Sequence, residues 1–161
     1  MHQTTLRHIS IIGLSIGLLA APVLSRDTRH GALRLTGAWS RPIPRGAAAG
    51  IGYVTITNTG GTPDRLIGGI SPSVARVEVH EMSFAGGIMR MRPLSDGIPI
   101  APGKTVRLGP GGYHVMLIGP KKALAAGQTI PVTLRFQRAG EVRVLFDVKD
   151  GSSGYDDGDF K

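Results

Sequence analysis

The sequence predicts an all-β domain, built as an antiparallel sandwich or a Greek-key β-barrel. The 161 residues include 24 Gly and 11 Pro, which interrupt the chain too often for long helices. Short runs rich in β-branched residues alternate with these turn residues, at the spacing typical of sandwiches and barrels. The chain is long enough for one domain with an ordinary core.

The predicted strands follow one another along the chain, separated by glycine-containing turns. They span residues 50–58, 74–82, 88–93, 104–108, 113–118, 131–137 and 141–148. Gly86-Gly87 predicts a tight turn between the second and third strands, and Arg138-Ala139-Gly140 predicts a closing hairpin. Residues 121–127 favour a loop over a helical turn.

Residues 1–25 resemble a signal peptide. A weakly basic start with Arg7 and His8 precedes an apolar run over 9–24 that is too short for a comfortable membrane span of about 20 residues. Cleavage after Ser25 or after Ala21 fits, and an uncleaved anchor is the alternative. The pattern predicts export to the periplasm. Residues 26–34 then form a predicted linker, in which His30 is solvated.

The remaining chain divides into a folded β-domain, residues 35–149, and a polar, glycine-rich and acidic tail, residues 150–161, which is predicted to be flexible. The absence of cysteine excludes disulfides, blue-copper centres and thiol nucleophiles. The formal charge of +8 falls to +7 without Arg7. Scattered Lys and Arg with 5% aromatic residues argue against nucleic acid and favour an acidic protein partner.

Histidine and methionine occur in three short i, i+2 pairs. These are His80 with Met82, Met89 with Met91, and His114 with Met116, which together contain every methionine except the initiator. In a β-strand, this spacing places both side chains on one face, about 6.5–7 Å apart. Neutral imidazole and thioether donors favour Cu(I) over hard ions. The pairs therefore predict a copper site.

The direction in which the side chains point along each strand supports a copper site for the pair His80 and Met82. For the pair His114 and Met116 it leaves the question open. Val77 and Val79 mark the core face of their strand, so His80 and Met82 point the other way. Around His114 both faces are apolar, and methionine is an ordinary core filler. Packing of these residues in a core is the alternative that the spacing alone leaves open.

The combination resembles the PCuAC-type periplasmic copper chaperones, whose signature is His, ten residues, Met, about 21 residues and His-x-Met. Here ten residues separate His80 from Met91, and 22 separate Met91 from His114-Val115-Met116. Supporting similarity extends over about residues 38–148, including Asp64-Arg65-Leu66 and Pro110-Gly111-Gly112-Tyr113. The resemblance implies a cupredoxin-like β-barrel.

The resemblance also implies a ligand set: His80, Met91, His114 and Met116, with Met82 as a neighbouring or exchanging ligand. Met89 has no counterpart in the signature and is expected to pack. Glu81, on the valine face, is expected to be a structural or supporting carboxylate rather than a ligand.

The implied function is that of a monomeric Cu(I) carrier that delivers copper to the dinuclear centre of cytochrome c oxidase or to another periplasmic copper carrier. It would meet the membrane only through its acceptor. The alternatives are a periplasmic copper-sequestering tolerance protein and a non-metal β-sandwich binding module. An enzyme is not expected, because the sequence has no nucleophile elbow, catalytic triad context or paired carboxylates in a cleft motif.

Overall fold

The computed structural model describes residues 27–150, which form eleven β-strands. In chain order they are β1 (Thr28–His30), β2 (Leu33–Ser40), β3 (Ala49–Asn58), β4 (Asp64–Ile70), β5 (Val74–Ala85), β6 (Ile88–Pro93), β7 (Ile98–Ile100), β8 (Thr105–Leu108), β9 (Tyr113–Pro120), β10 (Thr129–Phe136) and β11 (Gly140–Val148). Within residues 27–150 there is no α-helix, and hence none that could span a membrane. The predicted all-β class is confirmed.

Seven strands close into a barrel in the order β2-β11-β10-β4-β5-β9-β3, because β3 also pairs with β2. The neighbours are antiparallel except for β11 and β2, which run parallel. Strands β1, β6, β7 and β8 extend this ring by pairing with β2, β5, β4 and β3. Closure leaves the ring itself without a free sheet edge.

The barrel interior holds an aliphatic core that alternates with outward-facing residues along each strand. Val77 and Val79 of β5 are buried there, as are Val115 and Leu117 of β9. The largest fully buried apolar side chains are those of Phe146, Leu35, Ile56, Leu66, Ile98, Ile100, Leu108, Leu117, Ile130 and Leu134. Burial of each such side chain contributes about 1.5–3 kcal/mol, and with no cysteine in the chain this core holds the domain.

The structure differs from the linker that was predicted for residues 26–34. Strand β1 and the start of β2 lie in this stretch, and Leu33 is buried in the core. The imidazole of His30 is exposed, and its Nε2 contacts the carbonyl oxygen of Ala139 at 3.1 Å. The linker prediction overlooked the alternation of Leu33 and Leu35 with polar residues, which is the strand signal.

Two further strands, β4 and β7, were not predicted, whereas the loop over residues 121–127 is confirmed. Strand β4 contains Gly68-Gly69, and a Cβ at Gly69 would lie 2.7 Å from the Thr133 carbonyl oxygen. Glycine therefore permits the close approach of β10 here. Because glycine is uncommon inside strands, the same residues obscure the strand pattern in the sequence.

The predicted signal peptide (residues 1–25) and nearly all of the predicted tail (residues 151–161) lie outside the described residues.

Candidate metal centre

Three adjacent strands, in the order β6-β5-β9, carry all the predicted ligands. His80 of β5 pairs directly with His114 of β9, and Met82 of β5 pairs with Met91 of β6. Met116 of β9 lies opposite Glu78, one row further along β5. Directly opposed residues in antiparallel strands share a face. Side chains that are distant in the sequence are therefore neighbours on one face of the barrel wall.

The two imidazoles form the centre of this group. Their ring centroids are 5.8 Å apart, with the ring planes inclined by 51°. His114 is only 1% exposed, and the His80 side chain is 12% exposed. The phase inferred from Val77 and Val79 is confirmed for β5, because both valines lie in the core while His80 lies on the opposite face.

Each imidazole has one ring nitrogen engaged and one left open. Nε2 of His80 lies 2.9 Å from Oε2 of Glu78, and Nδ1 of His114 lies 3.0 Å from the carbonyl oxygen of Gly112. Since a carboxylate and a carbonyl both accept, these ring nitrogens carry the protons. Nδ1 of His80 and Nε2 of His114 are buried, with no hydrogen-bond partner in the described structure.

Two buried lone pairs without donors are uncommon, because an unpaired buried polar atom costs free energy. The arrangement is, however, the one that metal-binding histidines show, in which a carboxylate or carbonyl holds one nitrogen and the metal takes the other. The residues present thus fit an ion that accepts neutral imidazole. Within residues 27–150, no group of three or more His, Cys, Asp or Glu side chains is arranged to hold a metal ion, and the thioethers of Met82 and Met116 share the histidine face as candidates for further donors.

Burial also prepares His114 for such a role. Desolvation lowers the pKa of His114 below its ordinary value of 6.5, and the neighbouring His80 lowers it further. The hydrogen bond to Gly112 acts in the opposite direction without cancelling the effect. The imidazole of His114 is therefore held neutral near pH 7, which is the form that binds metal.

The thioethers surround the histidine pair at different distances along the strands. Met116 follows His114 by two residues, Met82 follows His80 by two residues, and both are half-buried. Met91 lies opposite Met82, one row away from the histidines, and is 43% exposed. The structure thus brings Met82 and Met116 next to the imidazoles and places Met91 beside Met82.

A hydrogen-bonded loop before β9 fixes the centre from one side. The carbonyl oxygen of Gly112 accepts both the His114 ring N–H and the backbone N–H of Met82, each at 3.0 Å. The loop is closed by hydrogen bonds from Gly112 N–H to the Gly109 carbonyl and from Gly109 N–H to the Tyr113 carbonyl. One carbonyl therefore links β5 to the buried imidazole.

Two carboxylates on β5 have different surroundings. Glu81 accepts two hydrogen bonds from the Arg92 guanidinium, at 3.0 and 2.7 Å, in a cross-strand ion pair on the other face of the β5–β6 hairpin. Glu78 lies on the histidine face and holds His80. No role was predicted for Glu78, although its position two residues before His80 indicates that it shares that face.

Met89 does not pack in the barrel. It is 62% exposed, so the prediction of a packing role is wrong. Every residue of β6 is exposed, because this strand extends the β5 edge beyond the closed ring. Among residues 27–150, no second layer covers β6, so its methionine side chains stay exposed.

The chain has relatives among known proteins. Residues 33–148 match the LpqE-like family, described as "Putative lipoprotein LpqE-like". "Putative lipoprotein Lxx21020" of Leifsonia xyli subsp. xyli is 32% identical over 160 residues, which cover 94% of this chain and 95% of the relative.

Solved structures extend the comparison. The copper-bound PCuAC domain from PmoF2 matches with a TM-score of 0.66 and 28% identity, over 77% of this chain and 97% of that domain. The CuI form of DR1885 from Deinococcus radiodurans matches with a TM-score of 0.60 and 25% identity, over 81% and 85% of the two chains. The expected cupredoxin-like barrel is thereby confirmed. The chain belongs to the LpqE-like family, and its β-barrel is similar in fold to PCuAC domains.

Proposed function

We propose that this chain is an exported carrier of Cu(I) that binds the ion through His80, Met91, His114 and Met116 and releases it to an acceptor protein. The observation that carries the proposal is the pair of buried imidazole nitrogens, Nδ1 of His80 and Nε2 of His114, that lack a hydrogen-bond partner within residues 27–150. Met82, next to His80 on the same face, serves as an exchanging ligand.

The donor chemistry supports Cu(I) as the cargo. Thioethers are soft ligands that select Cu(I), and imidazole is compatible with it. All four donors are neutral, so the ion is held without the strong attraction of a thiolate. This suits a protein that must later give the ion up, and a carrier is proposed in preference to an enzyme on that ground. The copper-bound forms of the PmoF2 domain and of DR1885 support the same cargo.

The proposed acceptor is the dinuclear copper centre of cytochrome c oxidase, or another periplasmic copper carrier that precedes it. This proposal rests on the resemblance to PCuAC-type chaperones. Periplasmic location rests on the signal-like pattern of residues 1–25 and on the lipoprotein names of the relatives. A closed barrel with a complete set of donors on one wall can act as a monomer.

The proposal is tested by anaerobic Cu(I) titration of the mature chain against a competing chelator, followed by mixing with a purified oxidase copper domain. We expect one tightly held Cu(I) per chain and its transfer to the acceptor. Tight binding without transfer to any periplasmic acceptor would favour copper sequestration. Absence of Cu(I) binding would leave a binding module without metal as the better account. The variant Glu81→Gln serves as a control, because Glu81 lies off the histidine face. It should bind and transfer Cu(I) like the unaltered chain.

A further inference from the structure

The β5–β6 hairpin carries sulfur donors beyond the histidine pair. Moving from the barrel to the hairpin tip, the row of His80 is followed by the Met82–Met91 pair and then by the Phe84–Met89 pair, all on one face. Gly86 and Gly87 close the hairpin with φ values of +60° and +76°, the conformation that a two-residue hairpin turn requires. The tight turn keeps Met89 in register with the rest of the row.

Exposure decreases steadily along this face. Met89 is 62% exposed and Met91 is 43% exposed, whereas the His80 side chain is 12% exposed and His114 is 1% exposed. The donors thus change from accessible thioethers at the tip to buried imidazoles at the barrel wall. Phe84, opposite Met89, is also exposed, so neither side chain of the outermost pair is explained by packing in a core.

Three thioethers lie within reach of one another. Met82 and Met91 are directly opposed, which places their Cβ atoms about 4.5–5.5 Å apart. Met89 is two residues from Met91 and diagonal to Met82, about 7–8 Å away. Methionine has three rotatable bonds and little steric restriction, so the three sulfur atoms can converge on one ion from their neighbouring positions.

We propose that Met82, Met89 and Met91 form an outer, all-thioether Cu(I) site through which copper enters and leaves the histidine centre. This inference rests on the proposed function, because it deepens the route by which that cargo is exchanged. Met82 and Met91 adjoin both groups of donors. The ion can therefore move inward by exchanging Met89 for an imidazole nitrogen, remaining Cu(I) throughout and keeping at least one thioether bond at each stage.

The outer site is tested in a chain that lacks the imidazole donors. His80→Gln/His114→Gln removes both imidazoles and keeps polar side chains of similar size at these positions. The protein is labelled with 13C at the methionine methyl groups and titrated anaerobically with Cu(I). We expect one equivalent to bind and to shift the methyl signals of Met82, Met89 and Met91, with the signal of Met116 unchanged. Failure of this variant to bind Cu(I) would overturn the proposal.

A matched pair of leucine variants on β6 tests the contribution of Met89 to the outer site. In the His80→Gln/His114→Gln background, Met89→Leu should lower the Cu(I) affinity about tenfold or more, because one of three soft donors is lost. Ile88→Leu, a change at the neighbouring exposed position that removes no donor, should leave the affinity unaltered. Equal effects of the two changes would contradict the assignment. Met89 is exposed, so the folded structure should tolerate its replacement.

Kinetics in the chain with both histidines provide a second measurement, which does not depend on the folding of the double variant. Met89→Leu should slow the loading of Cu(I) from a chelator severalfold while leaving the equilibrium affinity of the first equivalent unchanged. An unchanged loading rate would count against the outer site. A chain that binds no first equivalent at all would instead refute the proposed carrier function. The two failures are thus distinguishable.

Discussion

His80 and His114 face each other across β5 and β9 with their ring centroids 5.8 Å apart, and their free nitrogens are different atoms. His80 offers Nδ1 because Glu78 holds its Nε2, whereas His114 offers Nε2 because Gly112 holds its Nδ1. Two separate hydrogen bonds thus select the tautomers of both rings. This selection is the structural basis of the proposed copper centre, and it can be tested at each partner.

Glu78 should act as a positioning residue for His80. Glu78→Ala removes the acceptor that fixes the ring, and loss of such a partner typically lowers metal affinity by about 10–100-fold. Glu78→Gln keeps an acceptor oxygen and should restore part of the loss. Competition titrations with Cu(I) measure both variants.

The control for this comparison is Glu81→Gln. Glu81 forms an exposed ion pair with Arg92 on the other face of the hairpin, and exposed pairs contribute about 0–1 kcal/mol to stability. This variant should keep the copper affinity of the unaltered chain. If Glu81→Gln weakened Cu(I) binding as much as Glu78→Ala did, the proposed role of Glu78 in orienting His80 would be wrong.

The stability of the metal-free protein should fall in mild acid because of His114. Burial lowers the pKa of His114 in the folded state, so between about pH 6.5 and that lowered pKa the unfolded chain binds a proton that the folded chain does not. The free energy of unfolding therefore decreases as the pH falls through this window and levels off below it. Urea unfolding from pH 7.5 to 5 measures the decrease, which should be smaller in His114→Gln. An equal decrease in the two proteins would contradict this account.

Copper affinity should also decrease in acid. Each bound imidazole must be neutral, so protons compete with Cu(I), whereas thioethers do not titrate in this range. Because the pKa of His114 is lowered, protons compete with Cu(I) for this ring only at a lower pH than they would for an ordinary imidazole. The slope of log affinity against pH should therefore steepen as the pH falls, approaching two protons per copper. His80→Met/His114→Met should lose most of this slope. A constant affinity from pH 7 to 5 in the unaltered chain would exclude histidine ligands.

The thioethers should differ in their contributions to the first equivalent of Cu(I). Met91→Leu and Met116→Leu conserve volume and should each weaken binding about tenfold or more, since each removes a soft donor. Met82→Leu should have a smaller effect, because Met82 exchanges with Met91. A larger effect of Met82→Leu than of Met91→Leu would reverse the proposed ligand assignment. Chelator competition measures all three variants under the same conditions.

Much of the fold could be predicted because strands such as β5 and β9 carry strong local signals. Alternation of valines identified the core face of β5, and glycine pairs marked the turns. The pairing of β5 with β9 could not be predicted from local patterns, because register depends on contacts distant in sequence. Strands β4 and β7 were not predicted for a local reason. Glycine in β4 allows close approach of a neighbouring backbone and proline in β7 is tolerated at a sheet edge, but both residue types weaken the strand pattern in the sequence.

The candidate site was likewise predictable in part. Spacing placed His80 and Met82 on one face, and the family signature supplied Met91 and Met116 as expectations. The sequence could not indicate that Glu78 and Gly112 engage one nitrogen of each ring, since these hydrogen bonds depend on side-chain rotation and loop shape. The packing role predicted for Met89 was wrong because nothing in the local pattern reveals that β6 lies outside the closed barrel.

The proposed centre binds Cu(I) through imidazole nitrogen and thioether sulfur on the β6-β5-β9 wall. X-ray absorption at the copper edge, on the mature chain loaded anaerobically with one equivalent of Cu(I), identifies these donors. We expect about two nitrogen and two sulfur neighbours around the metal, with the nitrogen contribution lost in His80→Gln/His114→Gln. A copper environment composed only of oxygen, or one unchanged in that double variant, would show that this centre is not the copper site.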